Sequence, residues 1–147
     1  MIDQAGNKNS YTYLLPCLDE AETIERCVGL ALDAFNTNGV SGEVLVADNG
    51  SIDGSIKLAQ DAGARVVSIE KKGYGNALIG GIEAAEGDYV IMADSDLSYD
   101  LSRIDQFIQE IEKGSELVVG NRFLGGLEPG AMPFLHRYLG NPVLSFI

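Results

Sequence analysis

Short apolar segments alternate with segments of helical periodicity along most of the chain. Five of the apolar segments have the length and composition of buried strands: residues 11–16, 44–47, 65–69, 89–93 and 117–119. Between them, apolar residues recur every three or four positions, which is the spacing of a helix with one buried face. The pattern predicts the order βαβαβαβαβ between residues 11 and 120.

The predicted helices follow the first four strands. The first helix has its buried face at the apolar positions Ile24, Cys27, Val28, Ala31 and Phe35. The sequence Asp19-Glu20-Ala21-Glu22 resembles a capping box, which would open this helix. A second helix carries Ile56, Ala59 and Ala62, a third follows Gly73 and runs to about Glu86, and a fourth begins at Leu101.

Strands of this kind, separated by helices, predict the α/β class. We expect a mainly parallel, Rossmann-like sheet with helices on both faces and right-handed crossovers. In such sheets the ligand binds beyond the carboxyl ends of the strands, where the strand order reverses. The segments to search are therefore residues 16–20, 48–53, 71–77 and 94–98.

The character of the chain changes after residue 120. Residues 121–147 carry two arginines and one glutamate, whereas residues 1–120 are strongly acidic. Gly and Pro residues make the later region loop-like, although residues 134–147 form an apolar segment of helical character. We expect one α/β domain over residues 1–120, followed by the start of an acceptor-side region over residues 121–147 that is incomplete.

The chain of 147 residues has 10 Lys and Arg against 22 Asp and Glu, a net charge of −12. This charge argues against nucleic acid and anionic membranes as partners, because both would be repelled. A phosphorylated ligand would need a local source of positive charge, such as a divalent cation or a helix N-terminus.

Cys17 and Cys27 match no metal pattern and no apolar leader opens the chain, which favours a reducing, cytoplasmic compartment.

Two carboxylates directly follow the fourth predicted strand, in the sequence Asp94-Ser95-Asp96. Hard cations such as Mg²⁺ and Mn²⁺ take one or two protein carboxylates and complete their shell with water and ligand phosphate oxygens. A metal site is one interpretation of this segment. The other is that these residues solvate a loop and cap the next helix.

Other strand ends carry weaker signals. Asp48 could accept hydrogen bonds from a base or ribose, but a plain turn explains it equally well, and Glu20 could reach a ligand or only favour a helix N-terminus. The Gly73-Tyr74-Gly75 sequence is not a dinucleotide fingerprint, because it follows the third strand and lacks the third glycine. The Asp-x-Asp sequence at Asp94 could also indicate a phosphatase with Asp94 as nucleophile. This interpretation is disfavoured, because such phosphatases carry that motif after the first strand and here it follows the fourth.

Four segments taken together resemble family 2 glycosyltransferases of the GT-A fold. They match the family in order and spacing, and they are Leu15-Pro16-Cys17-Leu18-Asp19-Glu20, Ala47-Asp48-Asn49-Gly50-Ser51, Lys72-Gly73-Tyr74-Gly75-Asn76-Ala77 and Ala93-Asp94-Ser95-Asp96. The similarity covers about residues 11–140. The segments Gly120-Asn121-Arg122-Phe123 and His136-Arg137 further resemble the branch that glycosylates polyprenyl and dolichyl phosphates.

The resemblance implies a donor, a cofactor and a set of site residues. The residues expected to bind the nucleotide sugar are Pro16, Leu18, Glu20, Asp48, Lys72, Gly73, Asp94 and Ser95. Asp94 and Asp96 would hold Mg²⁺ or Mn²⁺, which bridges the donor diphosphate and stabilises the leaving group. Together with Arg122 they would form the catalytic set, and Arg122 and Arg137 would bind acceptor phosphate.

The resemblance also implies a second half that is absent here. Family members continue past this length with a region that binds the acceptor and, in many members, anchors to the membrane. We therefore expect a donor-binding half or truncated form of an inverting hexosyltransferase that acts on a lipid phosphate or glycan at the cytoplasmic face of the membrane. The alternative is a non-catalytic nucleotide-binding or assembly module that binds the donor without turnover.

Overall fold

The computed structural model describes residues 9–120. These residues form four strands and four helices in strict alternation. The strands are β1 (Ser10–Cys17), β2 (Ser41–Asp48), β3 (Arg65–Ser68) and β4 (Tyr89–Met92). The helices are α1 (Ile24–Asn38), α2 (Ser55–Asp61), α3 (Tyr74–Ala84) and α4 (Asp105–Glu112).

The four strands form one parallel sheet in the order β3-β2-β1-β4. The chain moves outward from β1 to β2 and β3, then crosses to the other side of β1 to form β4. The strand order therefore reverses between β1 and β4, and a crevice opens at their carboxyl ends. β1 pairs with β4 only as far as Leu14, so residues 15–17 extend beyond the end of β4.

Helices cover both faces of this sheet, as the sequence predicts. On one face, the ring of Tyr13 in β1 lies 6.0 Å from the ring of Phe35 in α1. Leu14 points to the opposite face, because side chains alternate along a strand, and there it lies against Gly81 of α3. Leu14, Leu45 and Ala47 are the buried centre of this second layer.

Helix α1 has the predicted buried face but not the predicted start. All five predicted apolar positions of α1 are buried. The prediction of a capping box is wrong: α1 begins at Ile24, and its N-cap residue Thr23 makes no side-chain cap hydrogen bond. Asp19 instead adopts a left-handed backbone conformation with φ 56° and binds a neighbouring loop.

Two further predictions fail near the end of the described residues. Residues 117–119 form no strand, and Leu117 and Val119 are largely exposed. A strand needs a neighbour to take its backbone hydrogen bonds, and residues 9–120 provide none there. The fourth helix does not begin at Leu101 as predicted: Leu101 is buried in a turn before α4, which begins at Asp105.

The chain separates into two units, residues 1–108 and residues 109–147. The first contains the sheet and helices α1 to α3, and the described part of the second consists of residues 109–120. The predicted division at residue 120, and the helical segment predicted over residues 134–147, extend outside the described residues and remain predictions. No helix within residues 9–120 is long and apolar enough to cross a membrane.

Candidate functional site

A cleft of about 570 Å³ opens at the carboxyl ends of β1 and β4, where the strand order reverses. This volume is in the range of small-molecule sites. Its walls come from the segments after all four strands and from the first turns of α3. The lining residues are Pro16, Cys17, Leu18, Glu20, Asn49, Lys72, Gly73, Tyr74, Ala77, Asp94, Ser95 and Asp96.

The loop after β1 is held in place by hydrogen bonds to the loop after β2. The backbone N–H groups of Asp19 and Glu20 donate to the hydroxyls of Ser51 (2.9 Å) and Ser55 (2.8 Å). In return, the Asp19 carboxylate accepts from the N–H of Ile52 at 2.8 Å. These reciprocal contacts fix the backbone directly after Leu18, which is 54% exposed at the wall of the cleft.

Asp48 and Asn49 lie at the end of β2 and have different tasks. Asp48 is buried, and its carboxylate accepts hydrogen bonds from the N–H groups of Gly50 (2.9 Å) and Ser51 (3.1 Å), which closes the turn. Asn49 is also buried, but its side chain reaches the loop after β3. Asp48 is therefore a turn-forming residue, and Asn49 is the one that lines the cleft.

The Asn49 side chain ties the loop after β3 to the end of β2. Its amide nitrogen donates to the carbonyls of Ile69 and Lys71, both at 3.0 Å, and its amide oxygen accepts from the N–H of Gly73 at 2.7 Å. These bonds hold the loop at the point where α3 begins. Asn49 thereby sets the position of Lys72, the residue between two of its partners.

Lys72 brings a positive charge to the cleft. Its ammonium group donates to the backbone carbonyl of Asn49 at 2.6 Å. This approach requires glycine at position 50, because a Cβ there would lie 1.8 Å from the Lys72 nitrogen, and Gly50 has a φ of +100° that other residues rarely adopt. The lysine therefore adds one positive charge to a cleft that is also lined by the carboxylates of Asp94 and Asp96.

The segment after β4 is anchored by its middle residue. The Ser95 hydroxyl is buried and donates to the carbonyl of Pro16 at 2.7 Å. Its own carbonyl accepts from the Thr23 hydroxyl at 2.7 Å, which binds the segment to the start of α1. Ser95 thus holds the backbone between Asp94 and Asp96, whose side chains line the cleft.

The two carboxylates have different surroundings. Asp96 is exposed and accepts a hydrogen bond from the N–H of Ser98 at 2.8 Å, and hydrogen bonds from Ser98 hold the pKa of Asp96 below its usual value. Asp94 is half-buried, and its Oδ1 accepts from the hydroxyl of Tyr74 at 2.7 Å. The bond to Asp94 raises the pKa of Tyr74 to about 12, so this hydroxyl is a donor at neutral pH.

The structure brings most of the predicted donor-site residues into one cleft. Those that line it are Pro16, Leu18, Glu20, Lys72, Gly73, Asp94, Ser95 and Asp96. Asp48 is buried in its turn and does not line the cleft. Arg122 and Arg137 lie outside the described residues.

Sequence analysis missed Asn49 and Tyr74 as site residues. Asn49 carries a weak signal, since an amide next to a strand end can both donate to and accept from a neighbouring loop. Tyr74 has none, because its contact with Asp94 joins segments that only the strand order brings together.

The carboxylate oxygens of Asp94 and Asp96 suit a hard divalent cation that is also bound by a ligand. Asp94 and Asp96 offer oxygen donors at the wall of the cleft, and the lowered pKa of Asp96 keeps that carboxylate ionised. Within residues 9–120, no group of three or more His, Cys, Asp or Glu side chains could hold a metal by itself. A cation bound here would complete its shell with water and ligand oxygens, which is the usual arrangement for Mg²⁺ beside phosphates.

The parallel sheet with helices on both faces, and the cleft at the point where the strand order reverses, define the class of doubly wound α/β domains. Within that class, the glycosyl transferase family 2 model matches residues 12–146. The chain belongs to this family.

Named relatives agree with this assignment. The chain is 35% identical over 133 residues to the low-salt glycan biosynthesis hexosyltransferase Agl6 of Haloferax volcanii, covering 90% of this chain and 32% of Agl6. The crystal structure of a mycobacterial protein superposes with a TM-score of 0.65 at 30% identity, covering 74% of this chain and 38% of that protein.

Some of the similar crystal structures contain ligands. One of them is glucosyl-3-phosphoglycerate synthase from Mycobacterium tuberculosis in complex with Mn²⁺, UDP and glucosyl-3-phosphoglycerate. Its TM-score is 0.52 at 34% identity, with coverage of 60% of this chain and 34% of that protein. The chain therefore spans about a third of the length of these proteins.

Proposed function

We propose that this chain is the donor-binding part of an enzyme that transfers a hexose from a nucleoside diphosphate sugar, with inversion, to a lipid phosphate or glycan. The observation that carries the proposal is the cleft in which Asp94, Asp96 and Lys72 converge at the switch point of a parallel sheet. Family membership and a related protein that binds UDP with Mn²⁺ support it.

Each part of the cleft matches one part of such a donor. The exposed apolar side chain of Leu18, beside Pro16, provides a wall for the base, and the Glu20 carboxylate accepts hydrogen bonds from hydroxyl groups. Lys72 and the N-terminus of α3 supply positive charge for the diphosphate. Asp94 and Asp96 would hold Mg²⁺ or Mn²⁺, which would supply positive charge for the leaving diphosphate.

The acceptor side of the proposal rests on residues outside the described part of the chain. We assign acceptor phosphate binding to Arg122 and Arg137, since arginine forms paired hydrogen bonds with phosphate oxygens. A phosphate acceptor is already ionised and needs little help from a general base. We further propose that the reaction takes place at the cytoplasmic face of the membrane, where a lipid phosphate acceptor would be available.

Nucleotide release tests the proposal directly. The chain is incubated with Mn²⁺, a UDP- or GDP-hexose and a polyprenyl phosphate, and the free nucleoside diphosphate is measured beside donor binding. The proposal predicts Mn²⁺-dependent donor binding and acceptor-dependent release, and both the Mn²⁺ dependence and the release should be lost in Asp94→Asn. Binding without release at any protein concentration would support the non-catalytic module instead, and no binding to any donor would contradict donor recognition altogether.

A further inference from the structure

A tyrosine hydroxyl is bonded to one of the two carboxylates of the cleft. Tyr74 is the first residue of α3, and its hydroxyl donates to Asp94 Oδ1 at 2.7 Å. The ring is 57% exposed and lines the cleft, so it contributes little to the buried core. A well-formed hydrogen bond from an exposed side chain to a carboxylate at the wall of a cleft indicates a role in the site.

The position of Tyr74 is set from the opposite side of the cleft. The preceding residue, Gly73, donates its N–H to the side chain of Asn49 at 2.7 Å. The backbone at the start of α3 is therefore fixed to the end of β2, while the Tyr74 hydroxyl reaches the segment after β4. A chain of contacts runs from Asn49 through Gly73 and Tyr74 to Asp94, and it crosses the cleft from one wall to the other.

The Asp94 carboxylate, at the end of this series of contacts, needs a hydrogen bond to fix its orientation. Ser95 anchors the backbone on one side of Asp94, but that contact leaves the side-chain torsions of Asp94 free to rotate. A hydrogen bond to Oδ1 restricts them, and an oxygen with two lone pairs can accept this bond and still bind a cation. Orientation of a metal ligand by a neighbouring hydrogen bond is a general means of raising metal affinity.

We propose that Tyr74 is a positioning residue that orients the Asp94 carboxylate for the cation shared with the donor diphosphate. The inference rests on the proposed function, because it needs a metal-dependent nucleotide site. Tyr74 acts through Asp94 and has no direct part in the chemistry. Removal of its hydroxyl should therefore weaken the metal-dependent component of nucleotide binding and leave the metal-free component unchanged.

The test is calorimetric titration of the chain with UDP, with and without Mn²⁺, in a double-mutant cycle. Tyr74→Phe keeps the ring and removes the hydroxyl, and we expect it to reduce the Mn²⁺ enhancement of UDP affinity about tenfold. In an Asp94→Ala background, the same substitution should have no further effect. The matched control is Tyr89→Phe, which removes a hydroxyl from a ring stacked on Tyr11 at the opposite end of β4 and should keep the full enhancement.

The outcomes separate the inference from the function on which it rests. If the unmodified chain binds UDP without any Mn²⁺ enhancement, the proposed function fails and the inference fails with it. If the enhancement is present and Tyr74→Phe retains it, the inference alone is overturned. The inference would also be overturned if Tyr74→Phe lowered UDP affinity in the Asp94→Ala background by the same factor as in the unmodified chain. Tyr74 would then act on the nucleotide directly.

Discussion

At the scale of single residues, Asp96 is the side chain whose loss should separate metal binding from folding. It is exposed on a loop, so Asp96→Ala should change the free energy of unfolding by about 1 kcal/mol or less. The variant should lose the Mn²⁺ enhancement of UDP affinity, because one of two carboxylates for the cation is gone. Titration with and without Mn²⁺, beside urea denaturation, measures both effects.

Asp61→Ala is the matched control for this variant. Asp61 is an exposed residue at the end of α2 that pairs with Lys57, so its loss should also cost little stability. It does not line the cleft and should retain the full Mn²⁺ enhancement. An equal enhancement in both variants would refute the assignment of Asp96 as a metal ligand.

Asn49 is the residue whose loss should affect the fold and the site together. Asn49→Ala removes three hydrogen bonds from the buried Asn49 side chain to the loop after β3. We expect the free energy of unfolding to fall by about 2–4 kcal/mol. Nucleotide affinity should fall as well, because Lys72 loses the loop geometry that holds it.

The control for this variant is Asn38→Ala at the end of α1, where the side-chain amide donates only to the carbonyl of Ala34. Chemical denaturation and UDP titration of both variants check the prediction. Asn38→Ala should bind UDP as the unmodified chain does. An Asn49→Ala variant with unchanged stability and affinity would show that the loop after β3 holds its position without this side chain.

The adjacent residues Asp48 and Asn49 show how much of the site could be predicted from the sequence. The motifs predicted the four segments that line the cleft, because parallel strands place their carboxyl ends at one edge of the sheet. They did not show which of the adjacent residues Asp48 and Asn49 lines it. That choice depends on the turn, whose N–H groups at Gly50 and Ser51 take up the Asp48 carboxylate.

At the scale of elements, the packing of α3 on the sheet depends on a glycine. A Cβ at Gly81 would lie 2.4 Å from Leu14 Cδ1 and 3.1 Å from the Cβ of Ala47. Leu14 is fully buried and has little room to move, so Gly81→Ala should lower the free energy of unfolding by about 1–3 kcal/mol. Urea denaturation measures this change.

Gly29 in α1 provides the same substitution without the clash. A Cβ there meets no atom within 4 Å, so Gly29→Ala should raise the free energy of unfolding by about 0.5–1 kcal/mol through helix propensity alone. Changes of opposite sign in the free energy of unfolding of the two variants would support close packing of α3 on the sheet at Gly81. A stabilising Gly81→Ala would contradict it.

Glu43 links three strands and should make their stability depend on pH. Its carboxylate accepts hydrogen bonds from Arg65 of β3 at 2.8 and 3.0 Å and from Thr12 of β1 at 2.9 Å. The bonds to Arg65 are the largest cause that lowers the pKa of Glu43 from its usual value of 4.5. The contribution of Glu43 to the free energy of unfolding is therefore complete above about pH 4.5. It is lost as the pH falls through the lowered pKa that Glu43 has in the folded state.

Glu43→Gln isolates this contribution. The variant should be about 1–3 kcal/mol less stable than the unmodified chain at pH 7, because a charge-assisted pair is removed. The difference should shrink as the pH falls below 4.5. Urea denaturation of both proteins at pH 7, 4 and 3 measures it, and a difference that stays constant across this range would contradict the pKa assignment.

Element types were predictable where periodicity was long, and element ends were not. The five apolar positions of α1 identified its buried face, since a helical stripe extends over several turns. The start of α1 was wrong, because Asp19 and Glu20 bind the loop after β2, a contact between distant segments. The three apolar residues at 117–119 were too few to distinguish a strand from an exposed segment.

At the scale of the whole molecule, a chain with a net charge of −12 is proposed to bind a diphosphate. The general field opposes that ligand, so binding must depend on local positive charge. In the proposed function, Lys72 would supply part of it, and a divalent cation on Asp94 and Asp96 would supply the rest. Strong dependence of nucleotide affinity on a divalent cation is therefore the central claim about this protein.

Calorimetric titration of the chain with UDP, GDP and dTDP, each with and without Mn²⁺, tests this claim most directly. We expect at least one nucleotide to bind, with an affinity that rises strongly when Mn²⁺ is present. Binding of equal strength with and without Mn²⁺, or binding to none of the three nucleotides, would contradict it.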